Sequence, residues 1–178
     1  MAQLLVGEHI KLRALEPEDL DVLFAAENDS NHWEFSGTLA PYSRDLLKKY
    51  IANAHQDIFE ARQLRLAIVQ NGREQVIGLI DLFDYHPHYR RAGVGILVLG
   101  AYQKMGFASE ALKLCMQYAF QHLELHQLYA NIPEGNEASL RLFHTHGFEQ
   151  TGMQKDWIRN KGKFIDVGLY QCFNPAEQ

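Results

Sequence analysis

Apolar and polar residues alternate across residues 9–15, where Ile10, Leu12 and Ala14 stand against Lys11 and Arg13. That period of two predicts a half-buried strand. The period then lengthens. Glu16-Pro17-Glu18-Asp19 opens a helix, since proline lacks only an N–H that has no partner in a first turn, and acidic side chains complement the positive helix end. Leu20, Leu23, Phe24 and Glu27 continue it. Residues 28–42 show no period and predict an irregular loop holding Trp33, Glu34 and Phe35. Ser43 then caps a second helix whose stripe runs Leu46, Leu47, Tyr50, Ile51, Ala54 and Ile58. Residues 65–70 and 75–84 predict two strands joined at Asn71-Gly72, a hairpin signal. Residues 93–99 are almost wholly apolar, as in a strand covered on both faces.

After Gly106 the period is helical again, with Ala108, Ala111, Leu112, Cys115, Ala119 and Phe120 on one face. Residues 127–132 predict a further strand. Asn136 caps a short helix that stops at Gly147, where glycine accepts a left-handed conformation. Residues 148–157 and 163–173 form a terminal strand pair around Asn160-Lys161-Gly162. The order β-α-α-β-β-β-α-β-α-β-β predicts an α/β (α+β) protein, a mixed sheet with helices on its faces. No repeat or Pro/Ser-rich linker interrupts the chain, so residues 1–178 read as one domain.

Composition changes this picture only by exclusion. Hydrophobic residues make up 47% and charged residues 22%, a globular balance that speaks against disorder. Lys and Arg total 17 against 22 Asp and Glu, a net charge of −5, which excludes a generic basic binder of nucleic acid but not a local anion site. No apolar run is long enough to span a membrane, and residues 1–8 lack the basic start and apolar core of a signal peptide. A cytoplasmic protein without a membrane partner is the expectation. Cys115 and Cys172 read as reduced buried thiols, with a single bridge as the alternative.

The chemistry concentrates in residues 93–108, a buried strand running into a glycine turn and a helix N-terminus. Unpaired N–H groups and the positive dipole end make a phosphate cradle there, and Lys104 adds charge. Val98 stands where a dinucleotide fingerprint beginning Gly93-x-Gly95 needs its third glycine, and no Gly-Lys-Ser/Thr is present for a P-loop.

Gln103-Lys104-Met105-Gly106-Phe107-Ala108 resembles the Q/R-x-x-G-x-G/A pyrophosphate-binding signature of the GCN5-related N-acetyltransferases (GNAT). Residues 136–148, from Asn136 through Gly147-Phe148, resemble the second motif of that family. Ile10-Lys11-Leu12-Arg13-Ala14-Leu15-Glu16-Pro17-Glu18-Asp19-Leu20 and Arg90-Arg91-Ala92 are similar to the branch of ribosomal-protein N-terminal (RimJ/RimL-like) and spermidine acetyltransferases. The resemblance covers nearly the whole chain. It implies a GNAT fold with a central mixed, mostly antiparallel sheet flanked by helices on both faces, and acetyl-CoA bound where the fourth and fifth strands part.

The cofactor-binding residues it implies are Ile96, Leu97 and Val98 along the pantetheine, Gln103, Lys104, Met105, Gly106, Phe107, Ala108 and Ser109 at the pyrophosphate, and Asn136 and Arg141 across from them. Asn136 reads equally as a helix cap, and Arg141 as a solvated helix charge. The backbone N–H of Leu97 is the expected oxyanion donor. The implied reaction is direct attack of a primary amine, either a protein or peptide N-terminus or a small amine, on acetyl-CoA in a ternary complex. Spermidine is an alternative acceptor, and a CoA-binding module with little transfer is a reading of another class.

Two familiar acid–base positions are vacant. Phe143 stands where many relatives carry a tyrosine acid, and Gly93 where relatives of this branch carry glutamate. Replacement candidates are Asp81, inside an apolar strand and suited to a raised pKa or, alternatively, paired with an arginine, followed by Asp84, His86 and His88. Trp33, Glu34, Phe35 and Tyr85 are expected at the acceptor, through charge and cation–π attraction or simply as packing. His86-x-His88 and His144-x-His146 mimic metal pairs, but without a companion cluster no metal is expected. Dimers are frequent in this branch, so a homodimer is expected.

Overall fold

The computed structural model describes residues 4–178. Strand β1 (Ile10–Ala14) leads through a short 3-10 turn, Pro17–Asp19, into α1 (Leu20–Glu27). Asp19 is buried and bidentate to Arg13 (2.7 and 3.0 Å), and it also accepts from the Glu16 N–H. Burial pushes its carboxyl up, but those three bonds outweigh it and hold the pKa below the ordinary value.

Residues 28–42 depart from the sequence expectation, because they contain a helix, α2 (Ser30–Ser36). It is built from its ends. The Asp29 side chain caps it by accepting from the Asn31 N–H, and Gly37, at φ 72°, closes it in the left-handed conformation. The next predicted helix is in fact two, α3 (Arg44–Ala52) and α4 (Ile58–Ala61). Ser43 caps the first as expected, and Asp57 caps the second.

Strands β2 (Leu64–Gln70), β3 (Gln75–His86) and β4 (Arg91–Val98) form an antiparallel meander. Helix α5 (Phe107–Gln121), β5 (Gln127–Pro133), α6 (Glu137–Thr145) and the hairpin β6 (Glu149–Asn160) with β7 (Lys163–Phe173) follow. The sheet order is β1-β2-β3-β4-β5-β7-β6, and all neighbours are antiparallel except β4 and β5.

Both faces of the sheet are covered. One carries Ile68, Ile80, Val94 and Leu128 against Leu112, Cys115 and Ala119 of α5. The other packs Ala67, Val69 and Leu79 against Leu23 and Ala26 of α1 and Leu47 and Ile51 of α3. Cys115 and Cys172 are buried and free, and burial pushes the Cys115 thiol up to about 12. No helix among the described residues is long and apolar enough to cross a membrane.

Candidate functional site

The parallel strands β4 and β5 pair only at Arg91, Ala92 and Gly93 against Gln127, Leu128 and Tyr129. Beyond Gly93 they part, although β4 continues to Val98 and β5 to Pro133. The parting opens a cleft of about 1090 Å³ that reaches α1 and α2 on one side of the sheet and α5 and α6 on the other.

Backbone direction along β4 decides what faces that opening. The Leu99 N–H donates to the Ile77 carbonyl on β3 at 2.9 Å. A Cβ placed on Gly78 would collide with the Leu97 carbonyl oxygen, so that oxygen also points at β3. Backbone polar groups alternate sides along a strand. Gly95 and Leu97 therefore turn their N–H groups toward β3, whereas Ile96 and Val98, beyond the last pairing of β4 with β5, present theirs to the opening. Leu97 cannot supply the oxyanion donor expected of it, and the groups that face the opening belong to its neighbours.

At one end of the cleft the chain turns through Lys104 (φ 61°) and Gly106 (φ 86°) into α5. The Gln103 amide donates to the Val98 carbonyl at 3.0 Å and ties the turn to the strand end. Glu110 is the first N–H to reach a helical carbonyl, that of Gly106, which leaves the N–H groups of Phe107, Ala108 and Ser109 without a main-chain acceptor among the described residues. Ser109 Oγ lies 2.7 Å from His146 Nε2 at the end of α6, and burial and Lys113 lower the His146 pKa. Asn136 and Arg141 line the opposite wall. Asn136 also caps α6 through the Ser139 N–H, so its reading as a helix cap holds.

At the other end lies an ionic cluster. Arg65 and Asp81 are directly opposite on β2 and β3, and Asp81 is opposite Gly95 on β4. Arg65 binds Asp81 through Nε (2.6 Å) and Nη2 (3.1 Å), and Glu27 through Nη1. Desolvation opposes its charge, but Asp81 and the other partners outweigh that and raise its pKa. Phe83 lies over the strand beside them. A Cβ on Gly93 would run into the Phe83 ring, so an aromatic side chain fills the space beside that position. His32, Trp33 and Phe35 of α2 close the end, and the Trp33 indole N–H donates to the Glu27 carbonyl at 2.8 Å.

The family described as Acetyltransferase (GNAT) domain matches residues 9–149. The chain belongs to this family. It is 25% identical over 177 residues to the uncharacterized N-acetyltransferase YoaA of Bacillus subtilis, covering 99% of this chain and all of that one. It is 29% identical over 143 residues to the spermidine N(1)-acetyltransferase of Escherichia coli, covering 80% of this chain and 74% of the relative. Its fold superposes with a TM-score of 0.85, at 23% identity, on the spermidine N-acetyltransferase of Vibrio cholerae solved with CoA and spermine, covering 94% and 97% of the two chains. The protein is an acetyl-CoA-dependent N-acetyltransferase, and the resemblance read from its motifs holds.

In this acetyltransferase the expected donor-side residues converge on the cleft wall, with one exception. Ile96, Leu97, Val98, Gln103, Lys104, Gly106, Phe107, Ala108, Ser109, Asn136 and Arg141 line it, whereas Met105 points to solvent at 61% exposure.

The expected acid–base and acceptor residues fare differently. Asp81 reaches the cleft, but as the arginine-paired carboxylate that was its structural alternative. Asp84, Tyr85 and His86 do not line the cleft. Asp84 sits at an irregularity of β3 with φ 47° and accepts from the Tyr129 hydroxyl at 3.4 Å. Tyr85 is buried edge-on against Phe59, and His86 stacks on Tyr89. These residues lie past the point where β3 loses its regular register with β4, which carries them away from the opening. Trp33 and Phe35 line the cleft at its ionic end, and the Glu34 side chain lies outside the described residues. Phe143 is buried, edge-on to Phe148 at 5.0 Å. Among the described residues no cluster of three His, Cys, Asp or Glu side chains could hold a metal. Sequence reasoning missed His32, Arg65, Glu27 and Phe83. The Asp29 and Gly37 caps could have placed His32 on a helix, but only strand register joins Arg65 to Asp81.

Proposed function

We propose that the acetyltransferase acts on a primary amine carrying one positive charge at its reacting end, a protein or peptide N-terminus or a small amine, by direct attack on acetyl-CoA in a ternary complex. The observation that carries this is the ionic cluster at the acceptor end. Glu27 and Asp81 are both bound to one guanidinium, so that trio retains a single negative charge. Acetyl-CoA lies along the free edge of β4, with its pyrophosphate at the N–H groups of residues 104–109 and Lys104 beside it. The Ile96 N–H takes the place of Leu97 as the donor that stabilises the developing oxyanion. The whole chain, residues 1–178, acts as one catalytic domain.

The acceptor sets the chemical demand. Freeing the lone pair at pH 7 costs about 4–5 kcal/mol for an amine with a lysine-like pKa, and about 1 kcal/mol for a peptide α-amine. Spermidine is the second reading, favoured by the name of the Escherichia coli relative. Calorimetric titration with acetyl-CoA, then thiol release against a panel of peptides, monoamines and spermidine, tests both. Highest kcat/KM on peptides or monoamines supports the first, highest kcat/KM on spermidine supports the second, and no binding at millimolar acetyl-CoA refutes both. Self-association as a homodimer is part of the proposal. The Vibrio cholerae enzyme has also been solved as a dodecamer, so analytical ultracentrifugation must distinguish the two assemblies.

A further inference from the structure

His32 divides its imidazole between two environments. Its Nδ1 is shut off from solvent with no hydrogen-bond partner among the described residues, 3.5 Å from Oδ2 of Asp29. The other oxygen of that carboxylate is already fixed, since Oδ1 accepts from the Asn31 N–H (3.0 Å) and the Asn31 amide (2.9 Å). The cap that starts α2 thus also aims a negative charge at the inner nitrogen of the ring. One third of the His32 side chain (33%) remains exposed, and the residue lines the cleft together with Ile96, Phe83 and Asp81. With Nδ1 enclosed, the nitrogen on the exposed part is Nε2. The carboxylate favours a proton on Nδ1, which leaves the Nε2 lone pair toward the cleft.

The charges that line the same end of the cleft are otherwise engaged. Glu27 and Asp81 are bound to Arg65. On β6, which packs against α2, Lys155 is bound to Asp166, and that same carboxylate accepts from the Asp156 N–H. Asp29 is the described carboxylate that contacts the His32 ring.

We propose that His32 is the base that deprotonates the acceptor ammonium, directly or through one water, and that Asp29 is its positioning residue; this rests on the acetyl-transfer reading above. Nε2 takes one proton from R–NH3⁺. The freed lone pair forms the C–N bond to the thioester carbonyl carbon while the C=O π pair moves to oxygen. Collapse of that oxyanion breaks the C–S bond with its electron pair on sulfur. The second amine proton ends on the departing thiolate, giving amide and CoA thiol, and the imidazolium returns its proton to solvent.

The test compares wild type, His32→Gln and Asp29→Asn for kcat/KM toward a peptide amine between pH 6 and 9.5, with acetyl-CoA Kd and Tm measured alongside. Asparagine keeps the helix cap and removes the charge. At pH 7, His32→Gln is expected to lower kcat/KM about 100-fold with Kd and Tm unchanged, and Asp29→Asn to lower it by less. Both deficits should shrink as pH rises, because the amine then loses its proton without help. A deficit of equal size at every pH, or none, overturns the proposal while leaving acetyl transfer intact. Wild type that binds acetyl-CoA but releases no thiol with any amine overturns the transfer reading and this proposal with it.

Discussion

The two ends of the cleft are made of different material. The donor end is backbone: N–H groups along one edge of β4 and around the turn into α5, placed by two left-handed residues and a helix start. The acceptor end is side chains, with Glu27 from α1, His32 and Trp33 from α2, Arg65 from β2 and Asp81 and Phe83 from β3. A backbone site tolerates exchange of side chains but not of conformation. A side-chain site keeps its shape only while every partner is present. That contrast predicts opposite sensitivities.

The largest effect is expected at Arg65. Arg65→Met leaves two partly buried carboxylates facing each other, and should cost about 3 kcal/mol of stability, measured by denaturant unfolding. The double change Arg65→Met with Asp81→Asn should recover part of the loss. No recovery would mean that the cluster does not act as a unit. At the donor end, Gly106→Val forces a β-branched residue to φ 86° beside the phosphates, and should weaken acetyl-CoA at least about tenfold, or about 1.4 kcal/mol, by calorimetry. Gln103→Lys, a change of side chain only, should alter affinity by less than about threefold, under 1 kcal/mol. Equal effects at Gly106 and Gln103 would erase the distinction between the two ends.

Placing at Gly93 the glutamate that the motif resemblance leads one to expect probes the boundary between them. Gly93→Glu should destabilise the fold because Phe83 fills that space, and pairing it with Phe83→Ala should relieve the strain and raise turnover. The smallest effect lies outside the cleft. Asp19 has a folded pKa below its unfolded value, so its stabilisation is present above about pH 4 and lost as pH falls through the lower folded value. The Tm gap between wild type and Asp19→Asn should accordingly be widest at neutral pH and close toward pH 2.

The same contrast explains what the residue pattern could convey. The donor end was legible because conformation leaves marks in sequence: glycine at a left-handed turn, asparagine at a helix start, an apolar run for a covered strand. Even there the pattern stopped at one detail. Choosing between Leu97 and Ile96 requires knowing which neighbour each N–H faces, and strand register alone decides that. The acceptor end was largely illegible. Arg65 and Asp81 are sixteen residues apart in chain order and meet only because β2 and β3 pair in one register. Helix α2 was hidden for another reason. Its seven residues hold no apolar repeat, and its existence rests on Asp29 and Gly37 at its ends. Asp84, Tyr85 and His86 follow Asp81 in chain order but leave the cleft at an irregularity that no spacing announces.

The parting of β4 from β5 leaves a sheet with an edge in its middle, and such an edge behaves as a half-finished ladder. In the free protein the amides of Ile96 and Val98 should exchange their hydrogens with solvent quickly, while those of Gly95, Leu97 and Leu99, one residue away but turned to β3, exchange slowly. Acetyl-CoA lying along that edge would supply the missing rungs, so loading should slow exchange at every second residue. In hydrogen-exchange measurements the cofactor would thus register as an eighth strand.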